Sequence, residues 1–203
     1  MPLRSAVFLV AMLVVFAGPS MAQPVTGGVK AGVNFSRLVF GEEDAGVLDY
    51  KTGLVIGAFA NVPFTELFTF QPEFLYSMKG AKEEFVGGDE IRTNLGFLQF
   101  PLLFRANLLV GSFRPFVLFG PAFGFRTKAE IDRTGEREVD ISDETETVEF
   151  SGIISVGVQF GLAMIEGRYD HGFNDLDRNE PFEARTRTFS ILAGFDFARF
   201  RDR

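Results

Sequence analysis

The chain has 203 residues, a length typical of one domain, and is rich in phenylalanine and glycine, with 26 and 22 residues. It has no cysteine, which excludes disulfides, thiolate-bound zinc, thiol catalysis and a lipoprotein anchor, and its single histidine argues against a multi-histidine metal site. The formal net charge of −7 disfavours general nucleic-acid binding, because phosphate neutralisation needs a basic face.

The N-terminal stretch has the pattern of a secretory signal peptide. Arg4 precedes an apolar run over residues 6–17, and small residues follow at 20–22. The run is shorter than the ~20 residues of a membrane-spanning helix, so we expect cleavage before Gln23 rather than a retained anchor. The predicted units are therefore a signal peptide over residues 1–22 and one exported domain over residues 23–203.

Beyond residue 27 the dominant pattern is an alternation of apolar residues with polar or small ones, which predicts β-strands. Eight segments show it: 28–37, 52–62, 67–79, 92–106, 115–127, 149–160, 163–171 and 187–197. Most of them reach the ~9–11 residues that a tilted strand needs to cross a bilayer. Pro72, Pro101 and Pro121 lie inside these segments, and since each removes a ladder donor we expect bulges or strand ends there.

The connections alternate in length. Segments 38–51, 80–91, 128–148 and 172–186 are long and polar, whereas 63–66, 107–114 and 161–162 are short. Long extracellular loops, short periplasmic turns and an even strand number are typical of transmembrane β-barrels. We therefore predict an all-β fold, a monomeric eight-stranded antiparallel up-and-down transmembrane β-barrel in the outer membrane of a Gram-negative bacterium, with both mature termini in the periplasm.

If the phenylalanine-rich face meets lipid, the charged residues of the opposite face point into the lumen. The predicted polar network comprises Lys30, Glu73, Lys79, Arg105, Arg126, Glu166, Arg168, Asp170 and Asp196. An eight-stranded barrel is just wide enough for side chains to fill its interior, so these residues are expected to form a structural plug rather than a pore lining. Glycines on the same face would make room for them: Gly32, Gly57, Gly120, Gly124, Gly157 and Gly194.

Several phrases resemble successive strands of the PorT-like outer-membrane β-barrel family of Bacteroidetes-type bacteria. They are "GVKAGVNFSRL" (28–38), "QPEFLYSMKG" (71–80), "LGFLQFPLLFRAN" (95–107), "PFVLFGPAFGF" (115–125), "FSGIISVGVQFG" (150–161) and "IEGRYDHGFNDL" (165–176). The resemblance covers nearly all of the mature chain, and the family similarly carries a proline where Pro101 stands. It implies an outer-membrane barrel whose name-giving relative is an accessory of protein secretion. Expected partners are outer-membrane lipid and lipopolysaccharide, the barrel-assembly and periplasmic chaperone machinery, and a secretion-system or surface partner.

His171 raises one enzymatic hypothesis. "GRYDHGFND" is mildly similar to the stretch that carries the histidine of lipid A deacylases, which are eight-stranded barrels with a lipid-facing histidine and a nearby serine nucleophile. The nucleophile belongs two residues further along the same face, where this chain has Phe173. We therefore predict that the protein is not an enzyme and that His171 lies near the outer rim.

Segment 128–149 is strongly acidic. Its carboxylates are Glu130, Asp132, Glu136, Glu138, Asp140, Asp143, Glu144, Glu146 and Glu149. Divalent-cation or partner binding is one interpretation, but the ligand order of an EF-hand is missing, so a solvated loop is favoured. No cofactor or metal is predicted. The expected role is structural, surface-interacting or secretion-accessory; the alternatives are a small passive channel, a ligand-binding barrel or a soluble calycin-like carrier.

Overall fold

The structure, a computed structural model, describes residues 25–40, 46–47, 49–84, 90–108, 113–133, 139–140, 148–174 and 184–197. The predicted signal peptide and most of the acidic segment lie outside these residues. Within them, no helix has the length and apolar character needed to cross a membrane.

Ten strands make up the described part of the chain. They are β1 (Thr26–Phe40), β2 (Gly46–Val47), β3 (Asp49–Pro63), β4 (Phe68–Glu84), β5 (Glu90–Asn107), β6 (Arg114–Arg133), β7 (Val139–Asp140), β8 (Val148–Phe160), β9 (Ala163–Gly172) and β10 (Ala184–Asp196). Eight of them are long. The two-residue strands β2 and β7 pair with the ends of β1 and β6.

The eight long strands form a closed antiparallel barrel. Each pairs with the next along the chain, and β10 pairs with β1 from Gly28↔Asp196 to Phe40↔Ala184. The strands are staggered as closure requires: a line at right angles to them that leaves β1 at Gly28 returns to β1 at Leu38. The predicted fold class is therefore confirmed, since no sheet edge is left open.

The two ends of the barrel differ. Connections 64–67 and 161–162, the end of β5 and the start of β6 lie at one end, here called the turn end, together with the start of β1 and the end of β10. Gly161, with φ of 59°, provides the left-handed backbone of the tightest of these turns. The opposite end of the barrel is here called the loop end. The strands continue further toward it than predicted: β4 extends to Glu84, and β6 to Arg133 rather than residue 127.

The prolines do not mark the irregularities of the sheet. Pro72, Pro101 and Pro121 lie inside β4, β5 and β6, and the pairing register is the same on both sides of each. The register shifts instead between Tyr50 and Val55 in β3, and between Gly96 and Phe97 in β5. The expectation of bulges or strand ends at the prolines was therefore wrong: closure holds these strands in place although each proline removes one donor.

The two faces of the barrel follow the predicted alternation. Aromatic and aliphatic side chains cover the outer face, where Ile56, Phe119 and Val156 are 59, 52 and 62% exposed. Such an apolar surface suits acyl chains rather than water. Three phenylalanines depart from this arrangement, because Phe59, Phe97 and Phe116 point into the lumen and are buried.

Candidate functional site: the barrel lumen

Four charged side chains from three strands meet in the half of the lumen nearer the turn end. This turn-end cluster consists of Lys30 on β1, Glu73 on β4, and Glu166 and Arg168 on β9. Lys30 Nζ lies 2.7 Å from Glu73 Oε1 and 2.8 Å from Glu166 Oε2. Arg168 also binds both carboxylates, at 2.9 Å from Glu73 Oε2 and 2.6 Å from Glu166 Oε1. Two cations and two anions therefore alternate in one ring of ion pairs.

Arg105 links this cluster to polar side chains nearer the turn end. It donates hydrogen bonds to Gln71 Oε1 at 3.2 Å and to Gln159 Oε1 at 2.8 Å, and its guanidinium lies 3.9 Å from the ring centroid of Phe116. Gln71 in turn donates to Glu73 at 2.7 Å. Arg105 thus joins three strands and contacts the turn-end cluster through an amide rather than a carboxylate.

A second cluster, the loop-end cluster, consists of Lys79, Glu149 and Asp170 with Gln99 and Thr186. Lys79 Nζ lies 2.7 Å from Glu149 Oε2 and 2.8 Å from Asp170 Oδ2. Gln99 donates to Asp170 at 2.9 Å, and Thr186 donates to Glu149. Lys79 follows Glu73 by six residues on β4, so this cluster is displaced along the barrel toward the loop end.

Apolar side chains separate and surround the two clusters. They form packed groups that include Phe59, Leu103 and Phe116 in one, and Val55, Leu75 and Leu192 in another. Elsewhere in the lumen Asn34 binds Ser77 at 2.9 Å and accepts a bond from Ser190 at 2.8 Å. The interior is therefore a packed core with polar layers.

This packing leaves no room for a water column at the ion pairs. The side chains of Lys30, Lys79 and Glu166 are each 1% exposed, and that of Glu73 is 0% exposed. A charge that lines an aqueous channel would be accessible to water along its length. The charges instead satisfy one another, as a buried ion must when it has left water.

The two other predicted network residues, Asp196 and Arg126, are not members of either cluster. Asp196 is buried at the turn end, where it accepts hydrogen bonds from Thr26 at 3.4 Å and Asn61 at 3.2 Å. Arg126 is half-buried on the inward face of β6. The structure thus brings together six of the nine predicted residues as ion pairs and places Arg105, Arg126 and Asp196 around them.

Glu149 is the main lumen residue absent from the predicted polar network. It ends the acidic segment 128–149 and begins the predicted strand 149–160, and in the structure it lies on β8 and is 1% exposed. The alternation contained the information: Phe150 faces outward, so its neighbour must face inward. Three glutamines, Gln71, Gln99 and Gln159, complete the networks and were also missed, because an uncharged polar residue on an inward face is an ordinary observation.

Two of the lumen glycines show the close approach expected of them. A Cβ on Gly157 would lie 2.3 Å from Cζ of Phe116, the ring that Arg105 covers. A Cβ on Gly194 would lie 2.8 Å from Cε of Met164. Small residues therefore allow large inward side chains to cross the narrow lumen at these two positions.

His171 points away from the lumen, on the outer face of β9 near its loop end. Its Nδ1 lies 3.4 Å from the Tyr169 hydroxyl, and the ring centroids of His171 and Phe173 are 5.4 Å apart. Phe173 occupies the position at which a serine nucleophile was considered. In the described strands, no group of three or more His, Cys, Asp or Glu side chains has a geometry that could hold a metal ion.

Comparison with known proteins identifies the family of the chain. Residues 21–178 match the model of the outer membrane protein beta-barrel domain. No curated protein matches the sequence.

Several solved structures are similar in fold. Ail of Yersinia pestis, solved with the heparin analogue sucrose octasulfate, is 16% identical, with 86% of this chain and 100% of that chain covered and a TM-score of 0.47. The Neisserial surface protein A is 8% identical, with 85 and 99% covered and a TM-score of 0.46. The outer membrane enzyme PagL is 14% identical, with 80 and 98% covered and a TM-score of 0.43. The family match covers most of the sequence, and the chain therefore belongs to the outer membrane protein beta-barrel domain family and is an outer-membrane β-barrel.

Proposed function

We propose that the protein is a non-enzymatic, non-conducting barrel that serves as a rigid platform in the outer membrane, with its loop end outside the cell. The observation that carries this proposal is the burial of both ion-pair clusters. Charges that are 0–5% exposed and bound to one another at 2.6–2.9 Å act as a structural plug. The functional surface is then the loop end, through which a structural, surface-interacting or secretion-accessory role would be exercised.

Conductance across a planar bilayer tests the plug. We expect the folded mature protein to give no reproducible ion steps. The double variant Glu73→Ala/Lys79→Ala removes one member of each cluster. It should conduct ions and serves as the positive control, because it replaces two long buried side chains by small ones. Stepwise conductance by the wild-type protein would support a small passive channel instead.

The proposal that the protein is not an enzyme rests on the side chains around His171. Within the described strands its hydrogen-bond partner is the Tyr169 phenol, and Phe173 lies on its other side. In acyl transfer, a tyrosine phenol beside the imidazole is a poor substitute for a serine hydroxyl in that place. Incubation of the purified protein with lipopolysaccharide should release no fatty acid. Release that the variant His171→Ala abolishes would restore the deacylase hypothesis.

The secretion-accessory role rests on the PorT-like sequence phrases. A PorT-like protein would contact other components of a secretion system through its loops or its periplasmic turns. Cross-linking in intact cells from a photoreactive residue at Thr65, which is exposed in a turn-end connection, would capture a periplasmic partner. The same probe at Leu108, which is exposed in another turn-end connection, is the positional control.

A further inference from the structure

We propose that the outer face of the β1–β10 seam binds a phosphorylated glycolipid of the outer leaflet, with the lipid A phosphate at the loop end and an acyl chain in a groove below it. The inference rests on the proposed orientation, in which the loop end faces outside. It assigns a specific lipid site to a barrel that would otherwise only be surrounded by lipid.

The head-group part of the site is a row of basic side chains. Arg37 on β1 is the register partner of Arg187 on β10, and Arg187 is also the partner of His171 on β9. Ser36, Thr186 and Thr188 are buried in the lumen, so the alternation points the two arginines outward. Two guanidinium groups side by side on the outer face offer an anion adjacent hydrogen-bond donors and positive charge.

The geometry of Arg37 suits a phosphate. Its guanidinium lies 5.3 Å from the ring centroid of Tyr50, which is itself 56% exposed on the outer face. The side chain of Arg37 is half-buried. A guanidinium that an aromatic ring holds in place can present the donors at its outer end to a phosphate as parallel hydrogen bonds.

The row lies where the apolar belt of these strands ends. On the turn-end side of Arg187, the next outward residues of β10 are Phe189 and Ile191, 45 and 52% exposed. On β1 the corresponding outward residues are Phe35 and Val33. The change from apolar to cationic side chains marks the head-group level, which is where the phosphates of lipid A lie.

An apolar groove lies on the same seam, nearer the turn end than this row. It has a volume of about 310 Å³ and is lined by Val29, Ala31, Ile56, Ala193 and Phe195, with the backbone at Lys30 and Gly194. Ala31 and Ala193 are register partners, so two small outward side chains lie side by side and form its floor.

The spacing between row and groove matches one leaflet. Ala31 precedes Arg37 by six residues, which is about 20 Å along the strand at ~3.4 Å per residue. A tilt of ~45° reduces this to a depth of about 14 Å, close to the ~15 Å of half a hydrocarbon core. A chain that starts near the phosphate would therefore end in the groove.

Binding of bisphosphorylated lipid A to the folded mature protein in detergent micelles, measured by titration, tests the proposal. The variant R37Q/R187Q should bind lipid A at least about tenfold more weakly than the wild type. The control K82Q/K128Q also removes two positive charges near the loop end, but from β4 and β6, and its affinity should stay within about twofold of the wild type. Equal losses in the two variants would overturn the site.

Two further binding measurements test the head-group row and the apolar groove separately. Dephosphorylated lipid A should bind the wild-type protein about tenfold more weakly than the bisphosphorylated form, a comparison that needs no variant and so does not depend on the folding of R37Q/R187Q. The variant A193F fills the groove and should weaken lipid A binding while the barrel stays folded on an unheated gel. Equal affinity for the two lipids, or inorganic phosphate binding as tightly as lipid A, would refute a lipid site. These outcomes are independent of conductance, so the lipid site and the plugged lumen can fail separately.

Discussion

The substitution Lys79→Met tests how the loop-end cluster contributes to stability. Methionine keeps the length and approximate volume of the side chain but removes the ammonium, so packing changes little. Glu149 and Asp170, which bind Nζ at 2.7 and 2.8 Å, then share a buried site without a cation. Asp170 retains Gln99 and Glu149 retains Thr186, so each carboxylate keeps one donor.

The expected loss in the free energy of unfolding is about 4 kcal/mol. Removing one partner of a buried ion pair costs ~3–5 kcal/mol, because the charge left behind is uncompensated. Here two anions lose the same cation, which raises the cost, and the two remaining donors lower it. The variant Lys128→Met is the control: Lys128 binds Glu130 at 2.6 Å but its side chain is 48% exposed, so the loss should be ~0–1 kcal/mol.

Reversible urea unfolding in lipid vesicles measures both values. The chain has no tryptophan, so unfolding is followed by circular dichroism and by the fraction that migrates as folded on an unheated gel. A loss below about 1 kcal/mol for Lys79→Met would show that the carboxylates are hydrated and that the lumen is not sealed. The triple variant K79M/E149Q/D170N should recover most of the lost stability. If it does not, an uncompensated charge is not the cause.

Three other substitutions test different parts of the fold. Ile154→Arg places a charge on the outer face at a residue that is 56% exposed, and it should lower the free energy of unfolding in vesicles by ~2–4 kcal/mol. The control Glu66→Arg, in a turn-end connection, should leave that free energy unchanged. Equal effects of the two substitutions would mean that this face does not meet lipid. Gly157→Val should destabilise by ~1–3 kcal/mol in the same assay, because its Cβ would displace the Phe116 ring; an unchanged unfolding midpoint would show that the lumen has space there. Arg168→Lys keeps the positive charge but loses the planar guanidinium that binds two glutamates, so the urea midpoint of unfolding should fall. An unchanged midpoint would show that the charge alone is sufficient.

Some features of this protein are local and could be predicted from the sequence. The side-chain period of a strand is two, so Glu166, Arg168 and Asp170 must share one face whatever their partners are. The alternation of long and short connections is likewise visible along the chain, and it correctly predicts eight long antiparallel strands in a closed barrel. The strand ends were less accurate, since β6 continues through residues with little apolar alternation.

The contacts inside the lumen are not local. Lys30 binds Glu166, 136 residues further along the chain, because the register of β1 on β10 and of β10 on β9 brings them to the same level. A shift by two residues in either pairing would keep every side chain on its face but would separate Lys30 from Glu166. Which side chains point inward follows from the order of residues along each strand, since it depends only on the period of a strand. Which of them meet depends on how the strands are packed, because the stagger of a closed barrel is a property of all eight strands together.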